Sequence, residues 1–325
     1  MPMIKAVRIH ETGGPEVMRL EQVDLPAPAP GEVRVAHKAI GLNFIDTYQR
    51  SGLYPVKPPC GLGLEASGIV DELGPGVLNL KPGDRVAYAT GPQGAYAEAN
   101  NVHSSRVVKL PDGIKHETAA AMMLKGMTAQ YLLRQTYKVK KGDTILIHAA
   151  AGGVGLIVCQ WAHALGATVI GTAGSEDKAA LAKAHGADHV ILYRNEDVAA
   201  RVKDITQGAG VPVVYDAVGK DTWDTSLKCL APRGLMVSYG NASGPVGKID
   251  LLSLMAGSFY VTRPTLFHYT MTPEALMNTA SDLFDVVLSG NVKIEVNQTY
   301  ALDDVVQAHK DLEGRKTTGS SVLIP

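Results

Sequence analysis

The chain has 325 residues, enough for two compact domains, and its 46% hydrophobic and 19% charged residues describe a globular protein with a substantial core. A formal net charge of −1 argues against a generally nucleic-acid-binding or membrane-surface protein. Three scattered cysteines, Cys60, Cys159 and Cys229, exclude a disulfide framework and a cysteine-built zinc site, and read as buried small hydrophobes. The opening segment Met1–His10 lacks the continuous apolar run of a signal peptide, and no stretch is long and apolar enough to span a bilayer. A cytoplasmic enzyme is the expectation.

Up to about Lys125 the pattern is mostly β. Ile4–Ile9 and Glu32–Ala36 alternate apolar and polar residues as half-buried strands do, with Pro26, Pro28, Pro30 and Gly31 between them. Glu65–Leu73 and Asp84–Tyr88 read as further strands, bounded by Gly74, Pro75, Gly76, Pro82 and Gly83. Short strands with frequent breakers predict a mostly β, partly open barrel or sandwich rather than a second doubly wound domain. Helical signals begin at His116–Leu124 and continue through Thr128–Leu133.

Strand and helix patterns then alternate. The strands are Thr144–His148, Thr168–Thr172, His189–Leu192, Val211–Asp216, Gly234–Tyr239 and, at the edge, Ser258–Thr262; helices fall at Lys178–Ala184, Val198–Thr206 and Trp223–Cys229. Such alternation predicts an α/β, doubly wound parallel (Rossmann) sheet covered by helices on both faces. A helix Pro273–Leu288, a strand Lys293–Val296, a helix Leu302–Glu313 and a strand Ser320–Ile324 lose that rhythm and return to the first domain. The Rossmann sheet is thus inserted in the β domain: 126–267 is the nucleotide domain, and 1–125 with 268–325 is the other.

The stretch Asp143–Leu156 organises the chain. A short apolar strand ends in a glycine turn, Ala150-x-Gly152-x-x-Gly155, and a helix-like apolar pattern follows. Strand, turn and helix in that order set phosphate oxygens against N–H groups at a helix N-terminus, here those of Gly152, Gly153, Val154 and Gly155. Gly152 lets the backbone approach a pyrophosphate and Gly155 lets the helix pack on the strand.

With these residues in hand, the sequence resembles the medium-chain dehydrogenase/reductases and, within them, the zinc-independent NADPH:quinone oxidoreductases related to zeta-crystallin. The resemblance rests on Ala39–Tyr48, Gly63–Gly68, His148–Gly155, Val214–Gly219, Gly234–Asn241 and Tyr260–Leu266, and covers nearly the whole chain. It implies a GroES-like catalytic domain, hydride transfer from NADPH to a quinone without metal or flavin, and a homodimer paired through the edge strand Ser258–Thr262. Where zinc-dependent relatives carry a Cys ligand and a Gly-His-Glu motif, this chain has Asn43 and Gly63-Leu64-Glu65, so a bound metal is not expected. Glu65 reads as a buried structural carboxylate.

The end of the second strand, where an acid would bind the ribose of NAD, falls near Ala173 and carries no carboxylate. Gly174 and Ser175 follow, and Ser175, Lys178, Tyr193 and Arg194 offer a hydroxyl, an ammonium, a phenol and a guanidinium to a 2′-phosphate. Glu176 and Asp177 would repel that phosphate if turned inward; a solvated first helical turn is the plainer reading. The resemblance adds Asn43, Thr128, Tyr131, Ala217, Tyr239, Gly240, Asn241, Thr265, Leu266 and Arg315 as cofactor contacts. For the substrate, Asn43 offers an amide N–H to a quinone oxygen, Tyr48 a phenol for orientation or proton donation, and Tyr54 an aromatic wall. Asp46 either positions these groups or serves a structural hydrogen bond. The histidines show no ligand spacing.

Two further readings stay open at this stage. An NADPH-dependent reductase of enals or enones (an alkenal double-bond reductase) uses the same hydride donor, and a quinone is itself a conjugated enone. In a different class, NADPH binding could serve a structural or RNA-binding protein, against which the near-neutral charge argues.

Overall fold

A computed structural model describes residues 2–325. In chain order the first elements are β1 (Met3–Ile9), β2 (Met18–Asp24), β3 (Glu32–Leu42), α1 (Phe44–Arg50), β4 (Cys60–Gly61), β5 (Ala66–Leu73), β6 (Arg85–Tyr88), β7 (Ala99–His103) and β8 (Val108–Lys109). Then come α2 (His116–Tyr131), β9 (Thr144–Ile147), α3 (Gly153–Ala164), β10 (Thr168–Ala173), α4 (Glu176–Ala184), β11 (His189–Leu192), α5 (Val198–Ile205), β12 (Val211–Asp216) and α6 (Trp223–Cys229). The last are β13 (Leu230–Ser238), β14 (Tyr260–Thr262), α7 (Leu266–Tyr269), α8 (Pro273–Leu288), β15 (Val296–Ala301), α9 (Val305–Glu313) and β16 (Ser320–Ile324).

The chain divides into two compact units. One runs from the N-terminus to Met127 and takes in Thr270–Phe284 and Ile294–Pro325; the other is Thr128–Tyr269 with Asp285–Lys293. In the first unit, β15-β16-β3-β5-β6-β8 form an open sheet with β7 beside β3, and β2-β1-β4 form a smaller one. Neither closes on itself, so the β architecture is a partly open barrel. Its core gathers Val33, Val35, Ile40, Leu42, Val86 and Tyr88 from the strands with Leu302, Val305 and Ala308 from the C-terminal return.

In the second unit the six strands run β11-β10-β9-β12-β13-β14, all parallel. Counted from β9 this is the 3-2-1-4-5-6 order of a doubly wound sheet, whose switch point lies between β9 and β12. The strands are apolar on both faces because helices cover both: Ile145, Leu146, Val169, Ile170, Val213 and Val214 are wholly buried. Each such side chain contributes about 1.5–3 kcal/mol on burial. α5 shows how the covering helices are held, with Asp197 capping the N–H of Ala200 at 3.0 Å and Val198, Ala199 and Val202 on the buried stripe.

Several boundaries differ from the sequence reading, among them three in the second half of the chain. The strand expected at Lys293–Val296 is β15, Val296–Ala301. Gln160 captures Lys293 instead, accepting its N–H at 2.8 Å and donating to its carbonyl at 3.0 Å, which joins Asp285–Lys293 to the second unit rather than the first. The edge strand starts at Tyr260 rather than Ser258, because Ser258 sits at φ 52° and cannot continue an extended ladder. β13 begins at Leu230, four residues before Gly234, and its register with β12 shifts between Val211 and Val213. β2 went unread, since its alternation Met18–Asp24 is largely exposed and carries little apolar signal.

Candidate active site

The glycine turn sits at the switch point. β9 buries Ile145, Leu146 and Ile147 completely and delivers His148 and then Ala149, whose φ of 55° is left-handed and strained for a residue with a Cβ. The turn is held by the N–H of Gly152 donating to Ala149 O at 2.9 Å and that of Ala150 to Thr172 O at 3.0 Å. α3 then starts with Gly152 as N-cap, and Gly152 offers no side chain to the first-turn N–H groups of Gly153, Val154 and Gly155. That leaves a twelve-residue helix whose positive end is open to an anion. At Gly155 a Cβ would lie 2.6 Å from Ala150 O and closer still to Ala149 O, so only glycine lets α3 begin here.

Beneath the turn runs a buried polar network whose members are not among the candidate residues named from the sequence. Asp216, at the end of β12, accepts from the N–H groups of Val218 and Gly219 on one oxygen at 2.7 and 3.0 Å. Its other oxygen accepts from Thr222 at 2.7 Å and Ser226 at 2.9 Å. With its proton given to Asp216, Ser226 accepts from His148 Nε2 at 3.0 Å, and His148 Nδ1 then accepts from the Thr172 hydroxyl at 3.0 Å. Burial lowers the pKa of His148 against the pull of Asp216, which keeps the ring neutral as this arrangement needs. Serine, histidine and an acid are all present, but the acid holds the serine and not the histidine, so Ser226 is not an activated nucleophile. The network instead ties the ends of β9, β10 and β12 together. An acid closing the fourth strand three residues before the glycine of Asp216-Ala-Val-Gly219 was the signal available in the sequence.

The remaining loop residues of this unit collect at the same carboxyl ends. After β10, a Cβ at Gly174 would stand 2.6 Å from the hydroxyl of the exposed Tyr193 side chain, which would have to move aside. Ser175 caps α4 by accepting the Lys178 N–H at 3.4 Å, while Glu176 and Asp177 are exposed in its first turn. Lys178 is half-buried and Tyr193 and Arg194 are exposed. The loops after β12 and β13 are tied by Ala242 N–H donating to Ala217 O at 3.1 Å and Tyr239 N–H donating to Asp216 O at 2.8 Å. Arg263 then donates to Gly240 O at 2.9 Å, fixing the turn that carries Asn241. Thr265 is exposed and Leu266, opening α7, is buried. Thr128 and Tyr131 are buried on α2, and the Tyr131 ring stacks on Tyr269 with centroids 4.4 Å apart.

The other unit holds Asn43, Asp46, Tyr48, Tyr54 and Arg315. Asn43 is the N-cap of α1, and Asp46 reaches back to accept its N–H at 2.9 Å, half of a capping box. The Asn43 side chain donates to Glu65 Oε2 at 2.8 Å, which fixes its amide and leaves the second N–H for another acceptor. Glu65 also accepts Leu124 N–H at 2.7 Å and lies 3.8 Å from the Lys125 ammonium, which donates to Leu42 O at 3.1 Å. Burial raises the pKa of Glu65 and lowers that of Lys125, while each one's charge steadies the other. Tyr48 is buried against Tyr54, their rings edge-on at 5.3 Å, and Tyr54 is half-buried. Arg315 is exposed in the turn that follows α9, at φ 58°.

These donors do not fit zinc. Asn43 is a neutral amide, Leu64 has no donor, and Glu65 is engaged by an amide, a backbone N–H and an ammonium. Among the described residues no three His, Cys, Asp or Glu side chains converge as a ligand set. The open helix end, the glycine approach and the basic and hydroxyl groups after β10 and β11 do fit a phosphorylated dinucleotide.

A doubly wound nucleotide-type unit joined to an open-barrel unit is the architecture of a dehydrogenase, and comparison with known proteins agrees. The family described as zinc-binding dehydrogenase matches residues 153–283, and the alcohol dehydrogenase GroES-like domain matches residues 29–112. A quinone oxidoreductase of Pseudomonas aeruginosa is 56% identical over 325 residues, covering 99% of this chain and all of that one. The crystal structure of Escherichia coli quinone oxidoreductase complexed with NADPH superposes with a TM-score of 0.97 at 51% identity, covering 99% and 100% of the two chains. A 2-haloacrylate reductase of Burkholderia is 45% identical over 332 residues, with 99% of each chain covered. The chain belongs to the quinone oxidoreductase family of the medium-chain dehydrogenase/reductases.

Proposed function

We propose that the protein is an NADPH-dependent quinone reductase that works without metal or flavin. The observation that carries this is the full-length match to a quinone oxidoreductase solved with NADPH, supported by this chain's own open helix end over the switch point. Bound NADPH supplies a hydride, and the quinone is already electrophilic, so the residues' task is to align the partners and exclude water. In this reading the second unit binds the nucleotide. Asn43 directs its remaining amide N–H to a quinone oxygen, Tyr48 and Tyr54 flank the ring, and Asp46 acts through the Asn43 backbone. Reduction of alkenes conjugated to a carbonyl is the second reading, favoured by the match to a 2-haloacrylate reductase. Specificity constants measured side by side for 1,4-quinones and for alkenals decide between them; a preference for alkenals would overturn the first.

The choice of NADPH over NADH is assigned to Lys178 with Ser175, Tyr193 and Arg194. Lys178→Ala is expected to weaken NADPH about 10- to 100-fold, the worth of one hydrogen bond to a charged group, and to leave NADH unchanged. Titration by nucleotide fluorescence checks it, and an equal loss for both coenzymes would remove Lys178 from the role.

We also infer a homodimer in the cytoplasm. β14 has a sheet partner on one side only, and around it Leu251, Leu252, Met255 and Tyr260 are 76%, 71%, 76% and 59% exposed. Leu252→Glu combined with Met255→Glu should halve the mass seen by light scattering; a mass that stays dimeric would clear this patch of the role. Among the described residues no helix is long and apolar enough to cross a membrane.

A further inference from the structure

We propose that Arg50, His309 and Tyr96 form a one-directional hydrogen-bond chain that clamps both ends of α1 and so positions Asn43 and Tyr48, resting on the reading that these two residues touch the quinone. The need for such a clamp is physical. α1 has seven residues, far below the length at which a helix holds itself in water, so outside contacts must fix its axis and the direction of its side chains.

The chain starts at the guanidinium that ends α1. Arg50, the last residue of α1, is 2% exposed; it grips Glu313 with two nitrogens at 2.9 and 2.8 Å and donates to His309 Nδ1 at 3.0 Å. A guanidinium only donates, so Nδ1 must accept and the ring proton must sit on Nε2. His309 Nε2 lies 3.1 Å from the Tyr96 hydroxyl, which accepts there and donates onward to Asp46 Oδ2 at 2.8 Å. Oδ2 also accepts the Asn43 N–H. Arg50 thereby sets every donor and acceptor up to the first turn of α1, and the circuit closes on the helix it began from. His309, on α9, is fully buried with its pKa pushed down to about 3 by burial and by Arg50, so it stays a neutral link.

One atom of the circuit is left over. Asp46 Oδ1 is buried with no hydrogen-bond partner. Because Oδ2 is held as an acceptor twice, any proton Asp46 takes up goes to Oδ1. Burial raises Asp46 to about 7, with Glu65 pushing the same way and Tyr96, the Asn43 N–H and Lys125 opposing. Protonation drains charge from Oδ2 and loosens its hold on Asn43, so the clamp is tight above that pH and slackens below it.

The test compares the wild type with Tyr96→Phe, His309→Leu and His309→Gln for NADPH binding and for kcat/KM with a 1,4-quinone from mildly acid to mildly alkaline pH. Tyr96→Phe and His309→Leu should lower kcat/KM roughly 10- to 100-fold at neutral pH, the cost of a small misplacement. The acid limb of Tyr96→Phe should move to higher pH, because Asp46 loses the donor that favoured its charge. His309→Gln places an accepting oxygen and a donating nitrogen where the ring nitrogens were, and should keep activity within a factor of about three. NADPH affinity should not change in any variant. Should His309→Leu fail to fold, Tyr96→Phe, which removes one oxygen and no volume, carries the test. A wild type that does not reduce quinones would sink the functional reading and the clamp with it. An active wild type matched at every pH by Tyr96→Phe would overturn the clamp alone, and so would an unmoved acid limb.

Discussion

Gly155→Ala is expected to lose NADPH binding by more than about 100-fold and to lower the melting temperature, whereas Gly152→Ala should lose the nucleotide and keep the fold. The two glycines are three residues apart in one turn, yet they meet different neighbours. A Cβ at Gly155 would press on the carbonyl oxygens of Ala149 and Ala150, backbone atoms that cannot swing aside. Those oxygens belong to the strained turn at Ala149, which is held in place by the N–H groups of His148 and Ala150 donating to Tyr215 O and Thr172 O, so α3 must shift bodily off the sheet. Overpacking of this kind costs about 1–3 kcal/mol or more, and it displaces the N–H groups meant for the pyrophosphate. A Cβ at Gly152 meets only Ala149 O at 3.2 Å, and φ there is −80°, a value any residue adopts. What it fills is the space a phosphate would need. Calorimetry with NADPH on both variants, together with their thermal midpoints, separates the effects. Gly152→Ala binding as tightly as wild type would mean that the pyrophosphate does not lie over this turn.

That turn was legible in the sequence because one physical demand fixed several residues at once: close approach, a helix start and an apolar strand before it. The doubly wound sheet was legible for a similar reason, since β9, β10 and β12 are apolar on both faces and cannot be mistaken for half-exposed strands. The first unit was harder to read. α1 is short and carries no helical period of its own; it exists because Arg50, Asp46 and Asn43 find partners on Tyr96, His309, Glu313 and Glu65, at sequence separations from 22 to 263. No local pattern announces such bonds. The same holds for Asp216, whose four donors include two hydroxyls from α6 and its approach. Candidate contacts such as Ser175 and Tyr193 could be named from strand ends alone, but that Gly174 makes room for the Tyr193 hydroxyl depends on two loops meeting in space.

The largest expected loss of stability comes from Asp216→Leu, and a milder variant at the same site tests why. Leucine is close in size but accepts nothing, so the N–H groups of Val218 and Gly219 and the hydroxyls of Thr222 and Ser226 lose their shared acceptor in a fully buried place. Stranding buried donors costs about 1–3 kcal/mol each, partly relieved by relaxation, so roughly 3–5 kcal/mol is expected for the set. For a unit of this size that lowers the melting temperature by about 6–20 °C, and the loops after β9 and β12 lose the tie that shapes the nucleotide cleft. Asp216→Asn has a way out. Its oxygen can keep the two backbone N–H groups while its NH2 donates to Ser226 and Thr222. Ser226 then gives its proton to His148 Nε2, Thr222 gives its own to Gly219 O, already 3.3 Å away, and the imidazole proton moves to Nδ1, facing Thr172. The polarity of the whole network reverses at the cost of one weakened bond and of the acceptor that the Thr172 hydroxyl had in His148 Nδ1. Asp216→Asn should therefore lose less than half of what Asp216→Leu loses, and the nitrogen shifts of His148 should report a switch from the Nε2–H to the Nδ1–H tautomer. A His148 tautomer that does not change, or an asparagine variant as unstable as the leucine one, would show that Asp216 does not direct the protons of this network.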